Sequence, residues 1–207
     1  MAGIPITRHQ VSDAKADAIR ASVRLARQLP SGDVPSRLAT SKDAAELLDF
    51  LSDPSVHAPI YSLPKPLSHA ALEAFIDDHL EQRARGEGLL FVRPDEASKI
   101  MGYSDIQIWP QWAAAELGGA IRPDKQGQGE GIKGAAASFT WMFETLGLDL
   151  ICETAAVDNI RTAKLLDHLG FVRQGQIVST SSDGTKRPSL VWEVSRQQWA
   201  DTHGLEF

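Results

Sequence analysis

Gln126-Gly127-Gln128-Gly129-Glu130-Gly131 decides how the rest of the chain is read. Three glycines alternate in a polar loop. Residues 112–121 before it read as a strand, closed by Arg122-Pro123-Asp124. After it, Ile132-Lys133-Gly134-Ala135-Ala136-Ala137-Ser138-Phe139 opens a helix. Strand, glycine loop and helix in that order make an anion site. Amides at a helix start have no internal partner, and the helix dipole favours negative charge there. Glycine lets the backbone approach a bulky phosphate and adopts positive φ. The loop therefore predicts a ligand that carries phosphate.

Downstream, residues 148–155 read as a strand and residues 160–169 as a helix, capped by Asp158 or Asn159 and ended by Gly170. Residues 171–180 and 187–194 form two strands around the turn Ser182-Asp183-Gly184-Thr185. Upstream, residues 89–92, 100–108 and 112–121 are three strands on short connections, which predicts an antiparallel meander. Before them, Ser68 caps a helix over 69–85, with Leu72, Phe75, Ile76 and Leu80 at helical spacing. Residues 52–67 hold Pro54, Pro59, Pro64 and Pro66 and read as a connecting loop. Residues 40–51 form a helix with a Thr or Ser cap, and 34–39 a short strand. His57, His69 and His79 read as solvated surface residues. The whole is a mixed α/β fold, with a mostly antiparallel sheet flanked by helices.

Residues 1–33 are an extension, and residues 34–207 one catalytic-sized domain. Ser12 or Asp13 caps a helix in the extension, with Ile19, Val23, Leu25 and Leu29 as its apolar stripe. That stripe packs on the domain or forms a homodimer contact. The 207 residues are 43% hydrophobic, enough for a core, and carry a net charge of −6 without a basic run. Nucleic acid is therefore not the expected partner. No membrane span, signal segment or metal cluster is visible, so a soluble cytoplasmic protein without metal is expected. Cys152, the single cysteine, sits in an apolar run and reads as a small core residue.

Two spacings compete for the phosphate compound. Gly129-Glu130-Gly131-Ile132-Lys133-Gly134 fits G-x-G-x-x-G, and Glu153 follows at a strand end. That dinucleotide reading needs parallel strand–helix units, which the antiparallel meander does not supply. The other spacing, Gln126-x-x-Gly129-x-Gly131, resembles the Q/R-x-x-G-x-G/A motif of the GNAT superfamily of N-acetyltransferases, which wraps the pyrophosphate of coenzyme A. Glu116-Leu117-Gly118-Gly119-Ala120-Ile121-Arg122-Pro123 is similar to that family's fourth strand. Asn159-Ile160-Arg161-Thr162 with Leu169-Gly170-Phe171 resembles the N-x-x-S…L-G-F signature of its RimJ/RimL-type branch. The motif-bearing likeness covers about residues 112–199.

The resemblance implies a GNAT fold and acetyl-CoA as the acetyl donor, bound where the family's fourth and fifth strands splay. Backbone groups of Ala120, Ile121 and Arg122 would hold the pantetheine arm. Amides of Gln126, Gly127, Gln128, Gly129, Glu130, Gly131 and Ile132 would hold the pyrophosphate, and Asn159 with Lys164 would contact the cofactor from the next helix. The implied reaction is direct attack of a primary amine, a protein N-terminus or small amine, on the thioester. A strand amide steadies the oxyanion. Glu116 is the candidate base, because strand alternation puts it on one face with Gly118 and Ala120. It reads equally as a strand glutamate paired with a cation. Thr162 replaces the serine of the signature and is the candidate donor to the leaving thiolate, or a helix-start cap. The tyrosine many members carry as general acid is absent; Leu165, Leu166 and Asp167 stand there. A coenzyme A-binding sensor or interaction module is the alternative to an enzyme. Trp109, Trp112 and Tyr61 either line the acceptor side or simply pack.

Overall fold

The computed structural model describes residues 3–30, 35–125 and 130–207. The strands are β1 (Gln28–Leu29), β2 (Ser36–Leu38), β3 (Gly88–Pro94), β4 (Ile100–Trp109), β5 (Ala114–Ile121), β6 (Leu150–Ala156), β7 (Val172–Thr180) and β8 (Lys186–Ser195). They form one sheet in the order β1-β2-β3-β4-β5-β6-β8-β7. Every neighbouring pair is antiparallel except β5 and β6. The helices are α1 (Asp13–Leu25), α2 (Ala44–Leu51), α3 (Pro54–His57), α4 (His69–Arg85), α5 (Glu130–Leu146), α6 (Ile160–His168) and α7 (Arg196–His203).

Alternation along the strands sends side chains to two faces, each with its own core. On one, Phe91, Ile106, Ala115, Ile151 and Trp192 pack with Ile19 and Val23 of α1, Phe139 and Phe143 of α5, and Trp199 of α7. On the other, Leu90, Val92 and Tyr103 pack with Leu47, Phe50 and Leu51 of α2 and with Leu72 and Ile76 of α4. These are called the α5 face and the α4 face below. On the α4 face, helices cover only the β2–β4 side, which leaves room over β5 and β6.

Local chemistry explains most boundaries. Ser12 caps α1 by accepting from Lys15 N, Ser68 caps α4 from Ala71 N, and Gly86 ends α4 at φ 80. Asp43 answers the Thr40 N–H at 2.8 Å and pairs with Arg37 at 2.7 Å, so a single 3₁₀ turn precedes α2. The stripe of α1 is Ala16, Ile19 and Val23, continued by Ala26. Leu25, expected within it, is 73% exposed, because it lies on the far side of the helix from Val23. In α4 the expected Leu80 is 43% exposed, while His79, expected in solvent, is 7% exposed. Position 79 continues the Leu72–Ile76 row, and Asp105 supplies the partner that makes its burial tolerable. Helix α3 inside the proline loop and helix α7 were not expected from the pattern. Ser195 and Gln198 start α7 as a capping box, and its Trp199 is fully buried.

Candidate active site

β5 and β6 pair only at Ala114↔Leu150 and Ala115↔Ile151. Beyond those two residues the strands diverge, while β5 stays paired to β4 as far as Ile121 and β6 to β8 as far as Ala156. A wedge therefore opens between two strands that are each held firmly from outside. Amide direction alternates along β5. Arg122 N donates to Met101 O at 2.9 Å, towards β4. Leu117 N points the other way, into the wedge, and donates to Glu153 Oε1 at 2.9 Å. Gly119 and Ile121 share the direction of Leu117. Ala120 and Arg122, expected to offer backbone groups to the cofactor, turn theirs to β4. The Arg122 side chain also leaves the wedge: it donates to Ile100 O at 2.8 Å and pairs with Asp49 at 3.3 Å.

Glu116 stands at the mouth of the wedge on the α4 face. Thr154 Oγ1 donates to Glu116 Oε1 at 2.6 Å, a bond that spans the two diverging strands. Burial raises the Glu116 carboxyl to about 7; Thr154 works against the shift and the nearby Asp105 charge adds to it. Glu153, 6% exposed, is pushed well above the ordinary range by burial and by Glu116. Burial and the surrounding carboxylates likewise push up the Cys152 thiol, whose Sγ lies 3.6 Å from Ala115 O. Cys152 is a core residue, as its apolar surroundings implied.

Asp105 and His79 were missed as a pair. Asp105 interrupts a strand otherwise rich in isoleucine, and it faces the same side as Glu116. His79 Nε2 meets Asp105 Oδ1 at 2.9 Å, and His79 Nδ1 meets Phe75 O at 2.7 Å. Burial opposes the charged imidazole, but the Asp105 contact outweighs it and holds His79 above its ordinary value.

The remaining expected residues fall around the far end of the wedge. Residues 126–129 of the glycine loop, with Gln126, Gly127, Gln128 and Gly129, lie outside the described residues. Glu130, Gly131 and Ile132 form the first turn of α5. A Cβ on Gly131 would sit 3.9 Å from the Ile121 side chain, so this turn abuts the end of β5. Asn159 caps α6, accepting from Thr162 N at 3.1 Å, which leaves its amide nitrogen and the Thr162 hydroxyl outside that bond. Lys164 is exposed. Where the family's tyrosine would stand, Leu166 is buried, and Asp167 pairs with Arg173 and accepts from Trp192 Nε1 at 2.9 Å.

Two segments border the α4 face beside the wedge. The loop after α3 meets the β7–β8 turn: Arg187 donates to Pro59 O at 2.7 Å and lies 3.7 Å over the Tyr61 ring, and Ser182 donates to Leu63 O at 3.1 Å. A cavity of 260 Å³ lies along this loop, lined by His57, Ile60 and Leu63 among others. From the other end, Ile6 and Thr7 donate their amides to Glu193 Oε1 at 2.6 and 3.0 Å. Trp112 stacks against Arg8 and Trp109, and Trp141 packs edge-on to Phe91. No helix among the described residues is long and apolar enough to cross a membrane, and no group of three metal-ligating side chains occurs among them.

A mixed sheet whose one parallel pair parts beside a helix start defines the class of fold, and known acetyltransferase structures share it. A family model, the acetyltransferase (GNAT) domain, matches residues 36–172, and the chain belongs to this family. Similar solved structures include a ribosomal-protein-S5-alanine acetyltransferase from Vibrio fischeri, at 19% identity and TM-score 0.69, over 84% of this chain and 99% of that one. RimJ from Mycobacterium smegmatis in complex with CoA-disulfide gives 19% and 0.68, over 83% and 86%. The spermidine N-acetyltransferase SpeG from Vibrio cholerae gives 22% and 0.64, over 79% and 96%. At such identities the likeness is one of fold. No curated protein matches the sequence. The family uses acyl-CoA.

Proposed function

We propose that the protein is an acetyl-CoA-dependent N-acetyltransferase acting on a primary amine by direct attack. The observation that carries this reading is Glu116, set at the mouth of the wedge with its carboxyl raised to about 7. A base works best when its pKa lies near the working pH. The wedge fits the donor's arm, because the Gly119 amide is aimed into it and the strands leave it open. The start of α5 beside Ile121 suits a pyrophosphate. Glu130, Gly131 and Ile132, together with residues 126–129, are assigned to it, and Asn159 and Lys164 to the cofactor from α6. Ala120 and Arg122 keep only a shaping role in this assignment.

Acetyl-CoA supplies the activated acetyl group as substrate. Glu116 takes a proton from the acceptor ammonium, and the freed nitrogen attacks the acetyl carbon. The C–N bond forms, the C–S bond breaks, and the second proton that the nitrogen loses as it becomes an amide ends on the leaving thiolate, with the Thr162 hydroxyl as candidate relay. An α-amino group, with a pKa of about 7.7–8.0, asks less of such a base than a lysine at about 10.4. The similar enzymes named for ribosomal-protein-S5 alanine and for spermidine define the acceptors to try first.

Thiol release from acetyl-CoA, measured with alanyl and seryl tripeptides, spermidine, lysine and n-butylamine, tests the reading. Glu116→Gln should lower turnover roughly 100-fold or more with acetyl-CoA affinity unchanged. A second reading, a coenzyme A-binding module without turnover, is favoured by Leu165, Leu166 and Asp167 in place of a tyrosine. Tight acetyl-CoA binding with no thiol release on any acceptor would select it.

A further inference from the structure

Two adjacent glycines on β5 have different reasons to be glycine. Gly119 has φ 143, and a Cβ there would lie 2.3 Å from Tyr103 O. The fold itself demands glycine at that position. Gly118 has no such constraint. Its φ is ordinary, and a Cβ would meet nothing closer than Asp105 O at 3.7 Å and Asp105 Cβ at 3.9 Å. Alanine would fit the chain, and a strand interior prefers it. The missing side chain leaves a gap on the α4 face.

The rim of that gap is polar on both sides. Asp105 lies directly opposite Gly118 in the β4–β5 register, and Glu116 stands one step along the same face. Asp105 is 9% exposed. Its Oδ1 is taken by His79, and no described group donates to its Oδ2, which water still reaches. A ligand nitrogen with N–H donors can take that water's place, and a positive charge there suits the two carboxyls.

We propose that the gap over Gly118 seats the acceptor nitrogen, held between Glu116 and the free oxygen of Asp105. The proposal rests on the acetyltransferase reading and adds a second carboxylate to it. Asp105 accepts one N–H of the ammonium, orients it and leaves another N–H for Glu116. His79, behind Asp105, fixes the aspartate's rotamer and offsets its charge, so the pocket is not doubly anionic before the acceptor arrives. The acceptor class that fits is a primary amine, because the methyl's worth of space that Gly118 frees matches an ammonium and not a more substituted nitrogen.

The titratable groups facing Glu116 are Asp105 from β4 and Cys152 and Glu153 from β6. His79 of α4 stands behind Asp105, and Glu193 of β8 lies beyond Cys152. Two opposite shifts follow. Removing the Asp105 charge in Asp105→Asn should move the rising limb of the pH–rate profile below its wild-type position. Removing the imidazolium in His79→Gln should move it above. The limb reads the charges around Glu116, whereas the acceptor KM reads contact with the amine.

The test uses the full chain with acetyl-CoA, n-butylamine and the alanyl tripeptide. Gly118→Ala and Asp105→Asn should each raise the acceptor KM roughly 10- to 100-fold, with acetyl-CoA affinity by calorimetry unchanged. Gly134→Ala, the same change on α5 where no atom lies within 4 Å, should leave both unchanged. Loss of acetyl-CoA affinity in Gly118→Ala would assign the gap to the donor and overturn the proposal. An unchanged acceptor KM would overturn it too, while leaving the acetyltransferase reading intact. A wild-type protein that turns over none of the amines removes both readings together.

Discussion

One strand pair holds a closed and an open environment side by side. At the closed end of β5 and β6, Ala114, Ala115 and Ile151 are fully buried between two paired strands. A few residues further, Glu116, Leu117, Gly118 and Ala120 are part-exposed and Gly119 is exposed. The strand has not changed; its partner has left. β6 goes on pairing with β8, so the wedge stays open without unfolding either edge. Small residues let the closed end close, and carboxyls with their donors line the open end. The difference shows how a sheet can carry a binding cleft in its middle, where a parallel pair would ordinarily be fully covered.

The largest effect should come from breaking the open end at its backbone. Gly119→Val places a branched side chain at φ 143, against Tyr103 O. The strain and the clash together should cost about 3–5 kcal/mol, read as a drop in the urea midpoint. An unchanged midpoint would mean that the β4–β5 register near Gly119 differs from the one described. Gly118→Ala, one residue away, should leave the midpoint within about 0.5 kcal/mol of wild type.

A smaller effect separates the two carboxyls of the wedge. Glu153→Ala leaves the Leu117 amide without its partner and should cost about 1–3 kcal/mol. Glu153→Gln should restore most of that, because its amide oxygen can accept from the Leu117 N–H and burial favours an uncharged group there. The pH dependence carries a sign. A carboxyl raised above its ordinary value contributes stability in acid and loses it as pH rises through the raised value. Glu116, raised to about 7, should therefore make the wild type lose stability relative to Glu116→Gln between pH 4.5 and 7. Parallel stability curves for the two proteins would refute the burial of this carboxyl.

Much of this architecture could be read from residue order, for identifiable reasons. The meander, the helix over 69–85 and the hairpin near the C-terminus carry local signals: alternation, caps at Ser68 and Asn159, and terminating glycines. Glu116 was found because alternation places it beside two small residues. What escaped depends on contacts distant in sequence. His79 and Asp105 are 26 residues apart, and neither looks unusual alone. Glu153 fits the dinucleotide spacing at a strand end, while its observed partner, the Leu117 amide, faces it only because the strands part. Residues 3–9 lie near β8 through Glu193, a contact across 187 positions that no periodicity encodes. Helix α7 is short, and its polar sequence hides the one buried tryptophan that anchors it.

The smallest structural change tests the sharpest part of the contrast. Thr154 is the only described donor to Glu116 across the wedge, and its hydrogen bond holds the Glu116 carboxyl lower than burial alone would. Thr154→Val keeps the side chain's shape and removes that donor. Stability should fall by only about 1 kcal/mol, the usual net worth of one hydrogen bond. The chemistry should respond more than the fold. Without the donor, Glu116 binds its proton more tightly, so the rising limb of the pH–rate profile should move above about 7. Turnover at pH 7 should fall while the plateau at high pH stays close to wild type. A limb that stays in place, with turnover reduced equally at all pH values, would mean that Thr154 positions the acceptor rather than tuning the base.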